Sequence, residues 1–202
     1  MKKIESIAEY QQLASRTCPD LGTFEDNYFH MQTGITTEIG EAIDPLKKFH
    51  AYKKPIDFVN VGEELADTCW YIANKSLLSK NENIIKIWSN NEMFEECIKH
   101  FKKTFKEIKQ NDIKEVYYLL LSISPSIYTC DALQMTDEQI NMDSVGIEAM
   151  TIIYIVAEMF NLDFYQLLTN NIAKLKVRYP DKFTNEAAIN RNLEEERTEL
   201  EK

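Results

Sequence analysis

Glycine and proline are scarce in this chain, with five of each among 202 residues. Because these residues mark most tight turns, their scarcity favours long helices with few connections over a many-stranded sandwich or barrel. The four cysteines are widely spaced and form no CxxC pair. This spacing indicates neither a zinc site nor a disulfide framework, so we expect a reducing, cytoplasmic setting.

Positive charge is also in the minority, since 23 lysines and arginines stand against 33 aspartates and glutamates, a formal net charge of −10. Such a surface repels long polyanions, and we expect no nucleic-acid partner. A small phosphate compound remains compatible with it if divalent cations intervene.

No basic and apolar leader opens the sequence, so no secretion signal is expected. The most apolar stretch, residues 145–160, carries Glu148 and Glu158 and is too short to span a bilayer. We therefore expect a buried helix there and no membrane partner.

Apolar residues recur at helical spacing through most of the chain, which predicts an all-α fold in a single domain, residues 1–202. Pro45 should kink or tighten its helix, and Pro125 should end another. Polar loops are expected at 17–23 and 50–55, and a loop or helix start at 131–143. The predicted helices cover 4–15, 27–49, 57–75, one or two amphipathic segments in 81–112, 115–123, two segments in 142–179 divided near Asn161, and an exposed run after Asn185.

Two short acidic motifs carry the chemistry. The first is Glu38-Ile39-Gly40-Glu41 and the second is Glu64-Leu65-Ala66-Asp67. Residues three apart on a helix point the same way, so each motif places two carboxylates on one helical face. If the two helices pack antiparallel, four carboxylates converge. Gly40 suggests a close approach between helices, because glycine otherwise weakens a helix relative to alanine.

Four neighbouring carboxylates repel one another unless a cation neutralises them. All-oxygen ligands suit Mg²⁺ or Mn²⁺ rather than zinc, and magnesium keeps positions open for phosphate oxygens. Glu63 is a further candidate for orienting or deprotonating a water molecule. Exposed helices also carry such motifs without a metal, so a solvated acidic surface is the competing interpretation.

The wider pattern resembles a known family. The segment Gly34–Ala73, with E-x-x-E followed by E-x-x-D, is similar to the core of the MazG-like all-α NTP pyrophosphatases, which also include dimeric dUTPases. A later segment, Asn170–Phe183, resembles the third core helix and the N-x-x-K-x-x-x-R-Y-P element of that family. The resemblance implies a helical bundle with core segments 27–75 and 146–184.

The resemblance also implies functional residues. It assigns metal ligation to Glu38, Glu41, Glu64 and Asp67. It assigns contacts with the phosphates and the sugar to Asn171, Lys174 and Arg178. The last three are spaced i, i+3 and i+7 and so share one helical face. Lys54, in the loop before the second motif, is a further candidate for phosphate binding.

The chain departs from compact members of the family by an inserted helical segment of about 70 residues, 76–145. The insert could cover the edge where a second subunit packs, form a lid, or recognise the base. A homodimer or higher homo-oligomer is expected from the resemblance. His30 could contact a base and Trp70 or Tyr71 could stack on one, although a surface histidine and core aromatic residues are the simpler interpretations.

The function predicted from these residues is Mg²⁺-dependent hydrolysis of a nucleoside triphosphate, with cleavage between the α and β phosphates to a monophosphate and pyrophosphate. One alternative is an enzyme specific for dUTP, dCTP or a signalling nucleotide. Another is a helical interaction module without catalytic activity. No GxxxxGK[ST], GxGxxG or GxSxG motif occurs, so kinase, dehydrogenase and serine-hydrolase functions have no support.

Overall fold

A computed structural model describes residues 1–78, 87–104, 112–134 and 142–202. These residues form helices and connecting loops and contain no strand, which confirms the all-α prediction for the described part of the chain. The helices are α1 (Ile7–Ser15), α2 (Phe24–Tyr52), α3 (Phe58–Leu78), α4 (Asn91–Thr104), α5 (Ile113–Gln134), α6 (Met142–Met159), α7 (Phe164–Arg178), α8 (Asn185–Ile189) and α9 (Leu193–Leu200).

Helices α2 and α3 form a helical hairpin, and local sequence sets the ends of α2. The Thr23 side chain accepts a hydrogen bond from the Asp26 backbone N–H and caps the first turn. Lys53 adopts a left-handed conformation with φ of 56°, and Pro55 follows two residues later. A left-handed residue turns the chain out of the helix, and proline cannot extend it. Helix α2 is therefore followed by a short loop that leads back into α3. Pro45 lies inside α2, and the helix continues past it.

Helix α3 is the central element, since it contacts α1, α2, α6 and α7. Its apolar side chains Val61, Leu65, Cys69 and Ile72 are almost fully buried. Because α3 is surrounded on several sides, some of its polar residues are also buried, among them Glu64 at 7% exposure. A carboxylate in such a position needs partners or a cation.

The middle of the chain contributes to the same core. Trp88, Phe94, Ile98, Val116 and Leu120 belong to one hydrophobic cluster with residues of α2, α3 and α6. Helix α4 packs on α6, and α5 packs on α6 and α2. The described parts of the expected insert are thus integrated into the domain. Residues 79–86, 105–111 and 135–141 of that segment lie outside the described residues.

The predicted end of a helix at Pro125 is wrong. Helix α5 runs from Ile113 to Gln134 without interruption. Proline in a helix interior removes one backbone hydrogen bond and costs about 3 kcal/mol. The turns before the proline bury Val116, Leu120 and Ile123, and a helix anchored in this way tolerates one missing hydrogen bond.

The apolar stretch at 145–160 forms a buried helix, as predicted. Ile152 and Val156 of α6 are almost completely buried. The helix ends where Asn161 takes a left-handed conformation with φ of 57°, and the Leu162 N–H donates to the Ala157 carbonyl oxygen at 2.9 Å. The predicted division near Asn161 is therefore confirmed. Within the described ranges, no helix is both long and apolar enough to cross a membrane.

The C-terminal run is not the single exposed helix that its composition predicts. It forms two short helices, and α9 packs against α7. Glu196 of α9 is 2% exposed because two arginine side chains surround its carboxylate. Composition alone misleads here, since a buried ion pair uses the same residue types as a solvated surface.

Close helix approach occurs at Gly34 rather than at Gly40, so the sequence-based suggestion for Gly40 is wrong. A Cβ atom added at Gly34 would lie 2.2 Å from Cε1 of Tyr71 on α3, which is well inside contact distance. A Cβ added at Gly40 would meet no atom within 4 Å. Gly34 lets α2 lie against the Tyr71 ring, whereas Gly40 faces open space.

This difference predicts opposite effects for two alanine substitutions in one helix. Gly34→Ala should lower the free energy of unfolding by about 1–3 kcal/mol, because the Tyr71 ring must move. Gly40→Ala should raise it by about 0.5–1 kcal/mol through helix propensity. Urea denaturation of both variants measures the effect. A stabilising Gly34→Ala would contradict the close packing.

Candidate metal and phosphate site

Three carboxylates converge where α2 meets α3. Helix α2 presents Glu38 and Glu41 one turn apart, and α3 presents Glu64. One carboxylate oxygen from each lies within 4.8 Å of the others. Asp67 follows Glu64 by one turn and lines the same cavity. Three of the four carboxylates expected to converge therefore do so, and Asp67 lies outside this group but in the same cavity lining. We call these four residues the carboxylate cluster.

The carboxylates of the cluster destabilise each other's ionised forms. Burial, followed by the negative charges of Asp67 and Glu41, raises the pKa of Glu38 to about 7. Burial, followed by Asp67 and Glu63, raises the pKa of Glu64 to about 8. Each raised value means that the site disfavours additional negative charge. A bound divalent cation would remove that penalty, and oxygen donors at this spacing fit Mg²⁺ or Mn²⁺.

Asp67 is held in place by two side chains of α7. The Asn171 Nδ2 donates to Asp67 Oδ1 at 2.5 Å, and Lys174 Nζ donates to Asp67 Oδ2 at 2.5 Å. Lys174 Nζ also lies 3.1 Å from Glu63 Oε1. Burial alone lowers the lysine pKa, but the charges of Asp67 and Glu63 outweigh it, so the Lys174 pKa is raised and the ammonium persists.

The positions of Asn171 and Lys174 differ from those expected for direct phosphate ligands. Both side chains are 0% exposed, and neither lines the cavity. In this structure they orient Asp67, which does line it. The spacing argument correctly placed them on one helical face, and that face meets α3.

Two further residues support the cluster. Asn60 Nδ2 donates to Glu64 Oε1 at 2.6 Å, which fixes one carboxylate oxygen. The Tyr10 hydroxyl lies 2.9 Å from Asn171 Oδ1 and so links α1 to the support of Asp67. Asn60 precedes Glu64 by four residues, a helical spacing that could have revealed it. Tyr10 and Asn171 are 161 residues apart, and no sequence signal connects them.

The cluster opens into a cavity of about 630 Å³. A volume in this range accommodates a small organic ligand. Glu63 lines the cavity together with the carboxylate cluster. The other lining residues are mostly apolar, aromatic or basic: Thr17, Pro19, Leu21, His30, Trp70, Tyr71, Leu175, Arg178, Tyr179, Phe183, Ala188 and Arg191.

The two arginines of the lining share one carboxylate. Arg178 donates to Glu196 through Nε at 3.0 Å and Nη2 at 2.5 Å. Arg191 Nη2 donates to Glu196 Oε2 at 2.7 Å. Burial acts to raise the Glu196 pKa, but the hydrogen bonds and charges of the two guanidiniums dominate and lower it to about 2. Arg178 was predicted as a site residue, whereas Arg191 and Glu196 were missed because they lie in a charged run.

The remaining candidates divide into cavity and surface positions. Lys54 is exposed in the loop between α2 and α3 and does not line the cavity. His30 lines it and packs edge-on against Tyr71, with ring centroids 5.6 Å apart. Trp70 is anchored in the core, since its Nε1 donates to Thr17 Oγ1 at 3.0 Å. Of the two adjacent aromatic residues, the half-buried Tyr71 is therefore better placed to contact a ligand.

The lowered pKa of Glu196 predicts an acid-sensitive contribution to stability. The contribution is complete above the unfolded pKa of about 4.5 and is lost as the pH falls towards about 2. Glu196→Gln should lower the free energy of unfolding by about 2–3 kcal/mol at pH 7 and by much less at pH 2.5. Urea denaturation at both pH values measures this difference. Glu194→Gln, at an exposed position of the same helix, should show little change at either pH. An equal loss in the Glu196 variant at both pH values would contradict the ion-pair account.

Comparison with known proteins gives no match: no family model, curated protein or solved structure is similar to this chain at a significant level. The functional interpretation therefore depends on the geometry of the cluster and the cavity, together with the motif resemblance.

Proposed function

We propose that this chain is a Mg²⁺-dependent nucleoside triphosphate pyrophosphohydrolase of the MazG-like type. The observation that carries the proposal is the convergence of Glu38, Glu41 and Glu64 within 4.8 Å at the wall of a 630 Å³ cavity that also exposes guanidinium and aromatic groups. A triphosphate needs cations for its oxygens, and a nucleoside needs an apolar or aromatic surface for its base. The cavity offers both.

The charges favour a metal-bridged anion over an organic cation. A cationic ligand would suit the carboxylates alone, but it would be repelled by Arg178 and Arg191 in the same lining. A polyphosphate with Mg²⁺ satisfies both, because the metal meets the carboxylates and the phosphates meet the arginines. This complementarity also favours the enzyme over an interaction module, whose acidic surface would not require a cavity that carries both charges.

Each residue has a distinct task in the proposed reaction. Glu38, Glu41 and Glu64 supply oxygen ligands. Asp67 lines the same cavity, where Asn171 and Lys174 hold its carboxylate in place. Bound Mg²⁺ supplies positive charge that offsets the negative charge developing on the phosphate oxygens.

Glu63 lines the cavity, and its Oε1 accepts from Lys174. The other oxygen, Oε2, has no hydrogen-bond partner within the described ranges. It is therefore available to accept a proton from an attacking water molecule.

The proposal is tested by product analysis. The protein is incubated with a panel of NTPs and dNTPs, with Mg²⁺ or with a chelator, and the products are resolved by chromatography. We expect equimolar nucleoside monophosphate and pyrophosphate that require Mg²⁺. Diphosphate and orthophosphate as products, or no turnover of any nucleotide in the panel, would contradict the proposal. The preferred nucleotide separates a broad activity from one specific for dUTP, dCTP or a signalling nucleotide.

A further inference from the structure

One carboxylate organises two guanidinium groups in the cavity lining. Glu196 lies on α9, Arg178 at the end of α7, and Arg191 in the loop before α9. Both arginines direct the same edge, formed by Nε and Nη2, towards Glu196. A guanidinium held through two of its nitrogens has a fixed plane. The two positive charges stand against one negative charge, so the group keeps a net positive charge.

The remaining nitrogen of each guanidinium is left for another acceptor. Arg178 Nη1 and Arg191 Nη1 make no hydrogen bond with any residue that the structure describes. Both arginines line the cavity, and their side chains are 15% and 38% exposed. Two oriented donors with a net positive charge, next to open space, are suited to binding an anion.

Arg178, one of the two arginines, is electrostatically coupled to the carboxylate cluster. Burial acts to lower the pKa of Arg178, and the negative charge of Asp67 is among the causes that raise it. Burial raises the pKa of Tyr71, the charges of Glu38 and Asp67 raise it further, and the charge of Arg178 acts to lower it. A ligand that spans the cavity therefore contacts a cation-binding region at one part of the lining and an anion-binding region at another. A nucleoside triphosphate with Mg²⁺ has this distribution of charge.

We propose that Arg191 binds the terminal phosphates of the nucleotide, which leave as pyrophosphate, beside Arg178, to which the motif resemblance already assigns phosphate contact, and that Glu196 is the positioning residue for both arginines. This inference rests on the proposed function and adds to it a substrate-binding residue outside the motif-bearing helices. It also gives α9 a role, because this helix carries the carboxylate that holds the pair. Lys174, by contrast, is assigned no contact with phosphate, because its ammonium group is paired with Asp67.

A purely structural role for Arg191 makes a different prediction. Glu196 already accepts two hydrogen bonds from Arg178, so Arg191 is not needed to satisfy it. If Arg191 only shielded Glu196, its loss would change stability and leave substrate affinity unchanged. If it binds phosphate, its loss changes affinity more than stability.

The test compares Arg191→Gln with Arg197→Gln. The control is closely matched, since the two arginine side chains are equally exposed at 38%, and Arg197 on α9 pairs with Asp57 and Glu201 away from the cavity lining. Two quantities are measured for each variant: kcat and KM for the best nucleotide, and the Kd for inorganic pyrophosphate with Mg²⁺ by calorimetry.

We expect Arg191→Gln to raise KM and the pyrophosphate Kd about 10-fold or more, the effect of one charge-assisted hydrogen bond, with kcat changed less than about 3-fold. Arg191→Lys should recover part of the affinity, because it restores the charge without the planar donor set. Arg197→Gln should leave both constants within about 2-fold of wild type.

The inference and the proposed function can fail separately. Unchanged KM and pyrophosphate Kd in Arg191→Gln, with hydrolysis by the wild type intact, would overturn the inference and leave the proposed function standing. Pyrophosphate binding that depends on Arg191, in a protein that hydrolyses no nucleotide, would support the anion site and contradict the proposed reaction. Equal losses in the Arg191 and Arg197 variants would also overturn the inference, because they would indicate a general charge effect.

Discussion

Replacing Glu41 with glutamine is expected to lower kcat/KM for the nucleotide by at least about 100-fold, equivalent to about 2.7 kcal/mol of transition-state stabilisation. Glutamine keeps the shape of the side chain but removes one charged oxygen ligand from the cluster. Glu41 is the exposed member of the three converging carboxylates, so the fold does not depend on it. The loss can therefore be assigned to the site.

The same substitution should not destabilise the metal-free protein. Glu41 raises the pKa values of Glu38 and Glu64 through repulsion, and its neutralisation relieves that repulsion. We expect the Tm without metal to stay the same or rise, while the increase on adding Mg²⁺ shrinks. Steady-state kinetics and thermal denaturation of the same samples measure both effects.

A matched control is Glu25→Gln, which makes the same change at an exposed position in the first turn of α2. Its activity and its magnesium response should equal those of the wild type. If Glu41→Gln retained wild-type activity, the carboxylate cluster would not be the catalytic centre.

Replacing Lys174 with methionine is expected to produce the largest loss of stability, about 3–5 kcal/mol. Methionine preserves much of the buried volume but leaves Asp67 and Glu63 without their shared cation. Asp67 then remains close to the other carboxylates with one hydrogen bond fewer. The loss arises from uncompensated charge, not from a cavity.

Two further variants separate this account from a direct role in phosphate binding. Lys176→Met, at an exposed position two residues along α7, should change stability by less than about 0.5 kcal/mol. Combining Lys174→Met with Asp67→Asn should recover part of the stability lost in the single variant, because the unpaired charge is gone. Urea denaturation measures all three. A stable Lys174→Met protein with a raised KM would instead indicate that the lysine binds substrate.

Helical periodicity and three-residue spacing were sufficient to place two carboxylates on one face of each helix, and the short loop made it possible for the two motifs to meet. Glu38 and Glu41 share a face of α2 because of the helix repeat, and the short loop ending at Asp57 directs α3 back along α2. These are local properties, and a single sequence encodes them directly. The all-α class follows from the same periodicity.

The missed features depend on contacts between distant residues. The Glu196–Arg178 pair joins α9 to α7, and the exposed appearance of the Glu- and Arg-rich run conceals it. The Tyr10–Asn171 contact joins α1 to α7. Pro125 was misjudged for a related reason, since the packing of α5 overrides a local preference. In each case tertiary burial determines the outcome.

The central claim is that the carboxylate cluster binds a divalent cation for nucleotide hydrolysis, and calorimetric titration with Mg²⁺ and Mn²⁺ tests it most directly. Wild type and Glu25→Gln should show saturable binding of both ions, and Glu41→Gln should bind them at least about 10-fold more weakly. If the wild-type protein shows no saturable binding of either ion, or if Glu41→Gln binds both as tightly as wild type, the cluster is not a metal site and the proposed reaction has no basis.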